Sequence, residues 1–175
     1  GIVGCNAMGL SAMMYYILIY IFSNLAAFGV IGAIENKTGL VHISDYNGLS
    51  KTNPWLACSM MLAMFSLAGI PPFAGFFSKF FIFTSAINQG SIAIYILVLI
   101  ALINTIVSLY YYLLVVKAMY ISPEEPQIAP FRSACSERLG LWITVAGIIG
   151  LGIVSFFYDT ILTAGEATTL FTFVG

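Results

Sequence analysis

One lysine stands in an apolar run where a charge is costly. Residues 55–88 hold a single charged side chain, Lys79. An ammonium group near the middle of a bilayer costs roughly 2.5–3.5 kcal/mol on insertion scales. Lys79 lies nine residues from the nearest polar turn, at Asn88. That is about 13 Å of helix, too far for easy snorkelling to a headgroup surface. None of the apolar runs of this chain contains an acidic residue to neutralise it. Its partner is therefore water, a backbone carbonyl or a charge elsewhere. Desolvation penalises an ammonium relative to the neutral amine, which brings proton loading and release within reach. The structural alternative is a lysine paired for stability at a helix end.

Two turns before Lys79 the run is interrupted by Gly69-Ile70-Pro71-Pro72-Phe73-Ala74-Gly75. Two prolines remove two backbone donors and disfavour helix at the preceding residue. Unwound backbone at membrane depth is tolerated only where it meets protein or water. A break hinged at Gly69, Pro71, Pro72 and Gly75, beside an ionisable side chain, suggests a hydrated path; a packing kink is the plainer reading.

Two polar stripes point the same way. Tyr16, Tyr20, Ser23 and Asn24 fall on one helical face, as do Asn104, Ser108, Tyr111 and Tyr112. Such groups hold waters or bond to a neighbouring helix. Lys117 closes the later run, either as a basic anchor or as a group that takes up or releases protons. The phenylalanines around Lys79 read as packing. No nucleotide loop, metal constellation or nucleophile–base pair is visible, and Cys5, Cys58 and Cys135 have no metal or disulfide spacing.

The elements that must position these groups are helices. The chain is 61% hydrophobic and 7% charged, against about 25% charged in a soluble domain. Lipid must be its main solvent. A net charge of −1 and a pI near 5.7 argue against nucleic-acid binding, which needs a basic face. The fold expected is all-α: a polytopic transmembrane bundle of about four full spans plus the end of a fifth. Residues 1–9 read as the end of a helix plus a turn, with spans at 12–34, 54–88, 91–117 and 139–159. The 34 residues of 55–88 would make a helix of about 51 Å, too long for one straight crossing and too short for two with a turn. One crossing broken at Gly69–Pro72 is the economical solution; a helical hairpin competes with it. Ala146 and Gly150 provide a small-residue step for close packing of the last span.

Orientation follows from the basic residues. With one broken crossing, Lys37, Lys51, Lys117, Arg132 and Arg138 all share one side, and the other side has none. That asymmetry makes loops 35–53 and 117–138 cytoplasmic and the C-terminus outside. It also favours the single crossing over the hairpin. The opening Gly-Ile-Val-Gly lacks an initiator Met and a basic leader, and reads as a cut inside a longer protein.

The stretch Phe65-Ser66-Leu67-Ala68-Gly69-Ile70-Pro71-Pro72-Phe73-Ala74-Gly75-Phe76-Phe77-Ser78-Lys79-Phe80 resembles the broken late helix of the antiporter-like subunits of respiratory NADH:quinone oxidoreductase, complex I. Tyr15-Tyr16 through Phe28 resembles the helix before it, and Ser108-Leu109-Tyr110-Tyr111-Tyr112-Leu113 the helix after it. The likeness covers essentially the whole chain. A lysine at position 79 and a short tail fit the subunit N branch better than its relatives. The resemblance implies that Lys79 is a distal proton-transfer lysine in a redox-driven proton-translocating membrane subunit. Tyr111 and Tyr112 then belong to a Tyr-rich stretch along the release route. It also implies a bacterial inner-membrane location, other membrane-arm subunits of complex I as partners, and no cofactor in this chain. NADH, FMN, iron–sulfur clusters and quinone would belong to other subunits. A subunit of a multi-subunit cation/proton antiporter or of a membrane-bound hydrogenase shares the same signature.

Overall fold

A computed structural model describes residues 7–123 and 125–172, with side chains for 9–123 and 125–155. Four crossings are built from α1 (Ala7–Thr38), the pair α3 (Pro54–Ala68) and α4 (Ala74–Ile87), α5 (Ile92–Ile121), and α6 (Cys135–Thr172). A 3-10 turn (Ile43–Tyr46) and a one-turn helix α2 (Leu49–Thr52) fill the first loop. α1, α5 and the Cys135–Ser155 part of α6 are each long and apolar enough to cross a membrane.

α3 and α4 are about 22 and 21 Å long, each short of a ~30 Å hydrocarbon core. They form one interrupted crossing, as α1 shows by acting as a ruler beside them. Near its start Tyr15 meets the Phe81 ring of α4, edge-on at 5.9 Å between centroids. Eight residues later the Ser23 hydroxyl bonds that of Ser66 at the end of α3, at 2.7 Å. Further on, Val30, Ala33 and Ile34 join Leu56, Ala57 and Met60 in one buried cluster. Positions along α1 thus rise as positions along α3–α4 fall, without reversal at the prolines. A hairpin would bring α4 back along α3. Here the two halves touch each other far less than each touches α1.

α6 runs alongside the broken crossing and antiparallel to α1. The Trp142 ring stacks on Trp55 at 4.2 Å, and further along the Tyr15 hydroxyl reaches the Leu151 carbonyl at 3.2 Å and also contacts the Ser155 hydroxyl. α5 returns to the end where α1 finished: the Gly48 N–H bonds the Ala118 carbonyl at 3.1 Å and the Ser50 hydroxyl the Met119 carbonyl at 2.8 Å. Asn53 clips the second loop to the first, donating to Ala129 O at 3.2 Å and accepting from the Phe131 N–H at 3.1 Å. Both loops therefore meet at one end of the bundle.

Several boundaries differ from expectation. No turn interrupts α1 at Gly9 or Ser11, because neither residue removes a backbone donor and the surrounding run is apolar; the rest of the expected helix end, residues 1–6, lies outside the described residues. α1 continues through Glu35–Thr38 and α5 past Lys117 to Ile121; a charge ends a membrane span without ending a helix. For the same reason α6 starts at Cys135 and does not stop at Asp159. Close packing on α6 falls to Gly147 and Gly152 instead of Ala146 and Gly150. An added Cβ would lie 2.6 Å from the Phe22 ring at Gly147 and 2.8 Å from Ala74 N at Gly152, but would meet nothing at Gly150. Leu141, Val145 and Ile148 are buried on the same side of α6 as Gly147, whereas Ala146 and Gly150 are exposed.

Candidate functional site

The break is built by a complete accounting of backbone groups. The last four carbonyls of a helix have no partner within it. Gly69 adopts φ +81°, the left-handed conformation that turns the chain out of α3. From there its N–H reaches Phe65 O and Ser66 O, and the Ile70 N–H also reaches Phe65 O, all at 3.0 Å. Leu67 O and Ala68 O remain. Both are taken by the Lys79 ammonium, at 2.8 and 3.2 Å. The negative end of a helix dipole favours a cation at this place. Lys79 is half-buried, and its stem and ammonium lie against Gly69, where an added Cβ would sit 3.1 Å from Cδ and 3.2 Å from Nζ.

Gly75 makes this geometry possible. α4 begins beside the last turn of α3, so closely that a Cβ at Gly75 would fall 1.7 Å from Ser66 O. Only a residue without a side chain lets the two halves overlap. The overlap carries Lys79, one turn further along α4, back to the open end of α3.

A cavity of about 190 Å³ lies in front of the ammonium. α1 contributes Tyr16, Ile19, Tyr20 and Ser23; α3 contributes Ser66 and Leu67. α4 gives Gly75, Ser78 and Lys79, and α5 gives Asn104, Thr105, Ser108 and Tyr112. At about 30 Å³ per water this space takes several. Its lining offers hydroxyls, an amide and an amine, which suits a hydrogen-bonded water chain.

Of the residues singled out by sequence, Lys79, Gly75, Tyr16, Tyr20, Ser23, Asn104, Ser108 and Tyr112 surround this one cavity. Three do not. Asn24 turns its amide back to Tyr20 O at 2.8 Å. Tyr111 is 48% exposed and donates to the Ser108 hydroxyl at 2.9 Å. Lys117 is exposed at the loop end of α5. Gly69 abuts the Lys79 side chain, while Pro71 and Pro72 shape the break from outside the cavity. Sequence reasoning missed Ser66, Ser78 and Thr105 as lining groups. Ser66 and Ser78 were visible as hydroxyls flanking the prolines; Thr105 is marked only by its place beside Asn104.

The fold and site define a multi-pass, all-helical membrane protein with an interrupted crossing that presents a cation to a polar cavity. Residues 1–105 match the transmembrane family described as NADH:quinone oxidoreductase/Mrp antiporter. The chain is 57% identical over 151 residues to NADH-quinone oxidoreductase subunit N of Phocaeicola vulgatus, covering 86% of this chain and 31% of that protein. It is 38% identical over 173 residues to NADH-quinone oxidoreductase subunit N of Moorella thermoacetica, covering 99% and 35%. Among solved structures it resembles a chain of respiratory complex I from Thermus thermophilus with bound aureothin. The TM-score is 0.67 and the identity 31%, over 85% of this chain and 33% of that one. The chain belongs to the NADH:quinone oxidoreductase/Mrp antiporter transmembrane family. It spans about a third of the length of the curated relatives it matches.

Proposed function

We propose that this chain serves, as part of a longer membrane subunit, in redox-driven proton translocation by an NADH:quinone oxidoreductase, and that Lys79 is its proton carrier. The observation that carries the reading is the Lys79 ammonium resting on Leu67 O and Ala68 O at the mouth of a polar cavity. In the charged state the open carbonyls of α3 hold the ammonium. Loss of the proton weakens that hold and frees the side chain toward the waters of the cavity. A proton then arrives from a donor on an earlier helix and is released toward the outside along α5, whose Asn104, Ser108 and Tyr112 line the cavity. Tyr111 and Lys117 lie toward the loops, on the side where protons would enter.

Electron transfer belongs to partner subunits in this reading, with NADH, FMN, iron–sulfur clusters and quinone held there. The membrane is the bacterial inner membrane. Loops 35–53 and 117–138 face the cytoplasm, as the five basic residues on that side suggest. A role in a multi-subunit cation/proton antiporter is the second reading, since the matching family spans both. The names of the relatives favour the first. The test is Lys79→Ala in the full-length protein, which should lower proton transport while the assembly forms. If Lys79 is only a structural pair, Lys79→Met should instead reduce assembly and leave the transport of whatever assembles intact.

A further inference from the structure

A second cavity, of about 360 Å³, opens at the loop end of the bundle, far from Lys79 along the broken crossing. Its walls include Thr52, Asn53, Trp55, Phe131, Arg132 and Arg138. Both arginines are exposed, and neither guanidinium has a hydrogen-bond or ion-pair partner among the described residues. Glu137, the nearest acid in sequence, turns its carboxylate to the Ala134 N–H at 3.0 Å and caps the start of α6. The Trp55 indole N–H is buried without an acceptor. A buried donor left unpaired costs about 1–3 kcal/mol. Asn53 adds to the imbalance: its amide is spent on Thr52, Ala129 and Phe131, so no side chain caps the first turn of α3. Two guanidinium groups without a partner thus line this space, beside a buried indole N–H that also has none.

The surroundings identify the kind of anion. Beside Arg138, α6 exposes Leu139, Trp142 and Ile143, at 63, 57 and 58%. They continue from the cavity along the helix into the depth of the membrane. Trp142 stacks on Trp55 at 4.2 Å, and such aromatic rings sit at headgroup level. A soluble anion would use the arginines alone; a phospholipid would use the arginines with its phosphodiester and the apolar strip with its acyl chains.

We propose that Arg132 and Arg138 form a binding site for the phosphodiester headgroup of an anionic phospholipid, which ties the second loop and the start of α6 to the membrane surface. The site is independent of the role given to Lys79, and either can fail alone.

The test uses the full-length protein in its native assembly, delipidated in detergent and examined by native mass spectrometry with added phosphatidylglycerol or phosphatidylcholine. The wild type should retain phosphatidylglycerol at a concentration roughly 10–30-fold below that needed for phosphatidylcholine. Arg132→Gln/Arg138→Gln should lose that preference. Arg138→Gln alone, a milder change on an exposed first turn, should lose part of it and guards against failed assembly of the double variant. Equal retention of the two lipids by the wild type, or an undiminished preference in the variants, would overturn the site. A third arm titrates inorganic phosphate. Protection from thermal unfolding by phosphate, without selective retention of phosphatidylglycerol, would mean a soluble-anion site and would reject the lipid.

Discussion

The broken crossing and α5 are of similar length, 34 residues from Pro54 to Ile87 against 30, yet they solve the same problem in opposite ways. α5 is continuous and buries only Val98, Val116 and Met119. Its backbone is satisfied internally, and even its small polar side chains fold back onto it: Thr105 bonds Ala101 O at 2.9 Å and Ser108 bonds Asn104 O at 2.8 Å. The broken crossing runs through the middle of the bundle, between α1, α5 and α6. It leaves two carbonyls open and meets them with a cation. The comparison teaches that an interruption becomes useful only where neighbours bury it. Placed on α5, the same break would leave carbonyls that no described helix covers, and in hydrocarbon each would cost several kcal/mol.

The largest effect should come from closing the space between the two halves. Gly75→Ala places a methyl group 1.7 Å from Ser66 O, against backbone that cannot yield. It should cost more than ~3 kcal/mol, beyond ordinary overpacking. Measured as folded protein recovered from membranes, accumulation should be lost. Gly150→Ala on α6 meets nothing within 4 Å and should accumulate normally, with up to ~1 kcal/mol of helix propensity gained. Equal accumulation of the two variants would remove the overlap from the account.

Gly69→Ala should come next. It forces a left-handed residue, about 1–2 kcal/mol, and crowds the Lys79 ammonium at 3.2 Å. The protein should still assemble, with proton transport reduced several-fold. A smaller effect belongs to the buried hydroxyl pair. Ser23→Ala strands Ser66, and Ser66→Ala strands Ser23, at about 1–3 kcal/mol each. The double variant should cost less than the sum, and thermal unfolding of all four proteins gives the coupling. Ser108→Ala on α5 should be smallest, within ~0.5 kcal/mol for stability. If Ser108→Ala destabilises as much as Ser66→Ala, the contrast between the two crossings fails.

Much of this was legible from residue types. Uninterrupted apolar runs announced the crossings, and Pro71-Pro72 announced the break, because a missing N–H acts locally and needs no partner to be read. The five basic residues placed both loops at one end, which the Gly48–Ala118 and Asn53–Ala129 bonds satisfy. Helix ends were less legible. Lys37, Lys117 and Asp159 end the uncharged runs, yet the helices run on past all three. The cavity was half legible. Helical periodicity put Tyr20 and Ser23 with Asn24, and Ser108 and Tyr112 with Tyr111, but a face about 100° wide does not say which edge meets a neighbour. The packing of α5 against α3 and α4 decides that, and it leaves Tyr111 facing outward. The partners of Lys79 were the hardest to foresee. Which two carbonyls stay open depends on the backbone bonds made by Gly69 and Ile70, and on Gly75 letting α4 slide back along α3.

Whether the Lys79 ammonium carries protons is read from the number of protons translocated per electron pair by the intact enzyme in proteoliposomes, wild type against Lys79→Ala, with electron transfer followed in the same vesicles. The ratio should be lower in the variant, from a fully assembled enzyme. An unchanged ratio at full assembly would contradict proton carriage by Lys79.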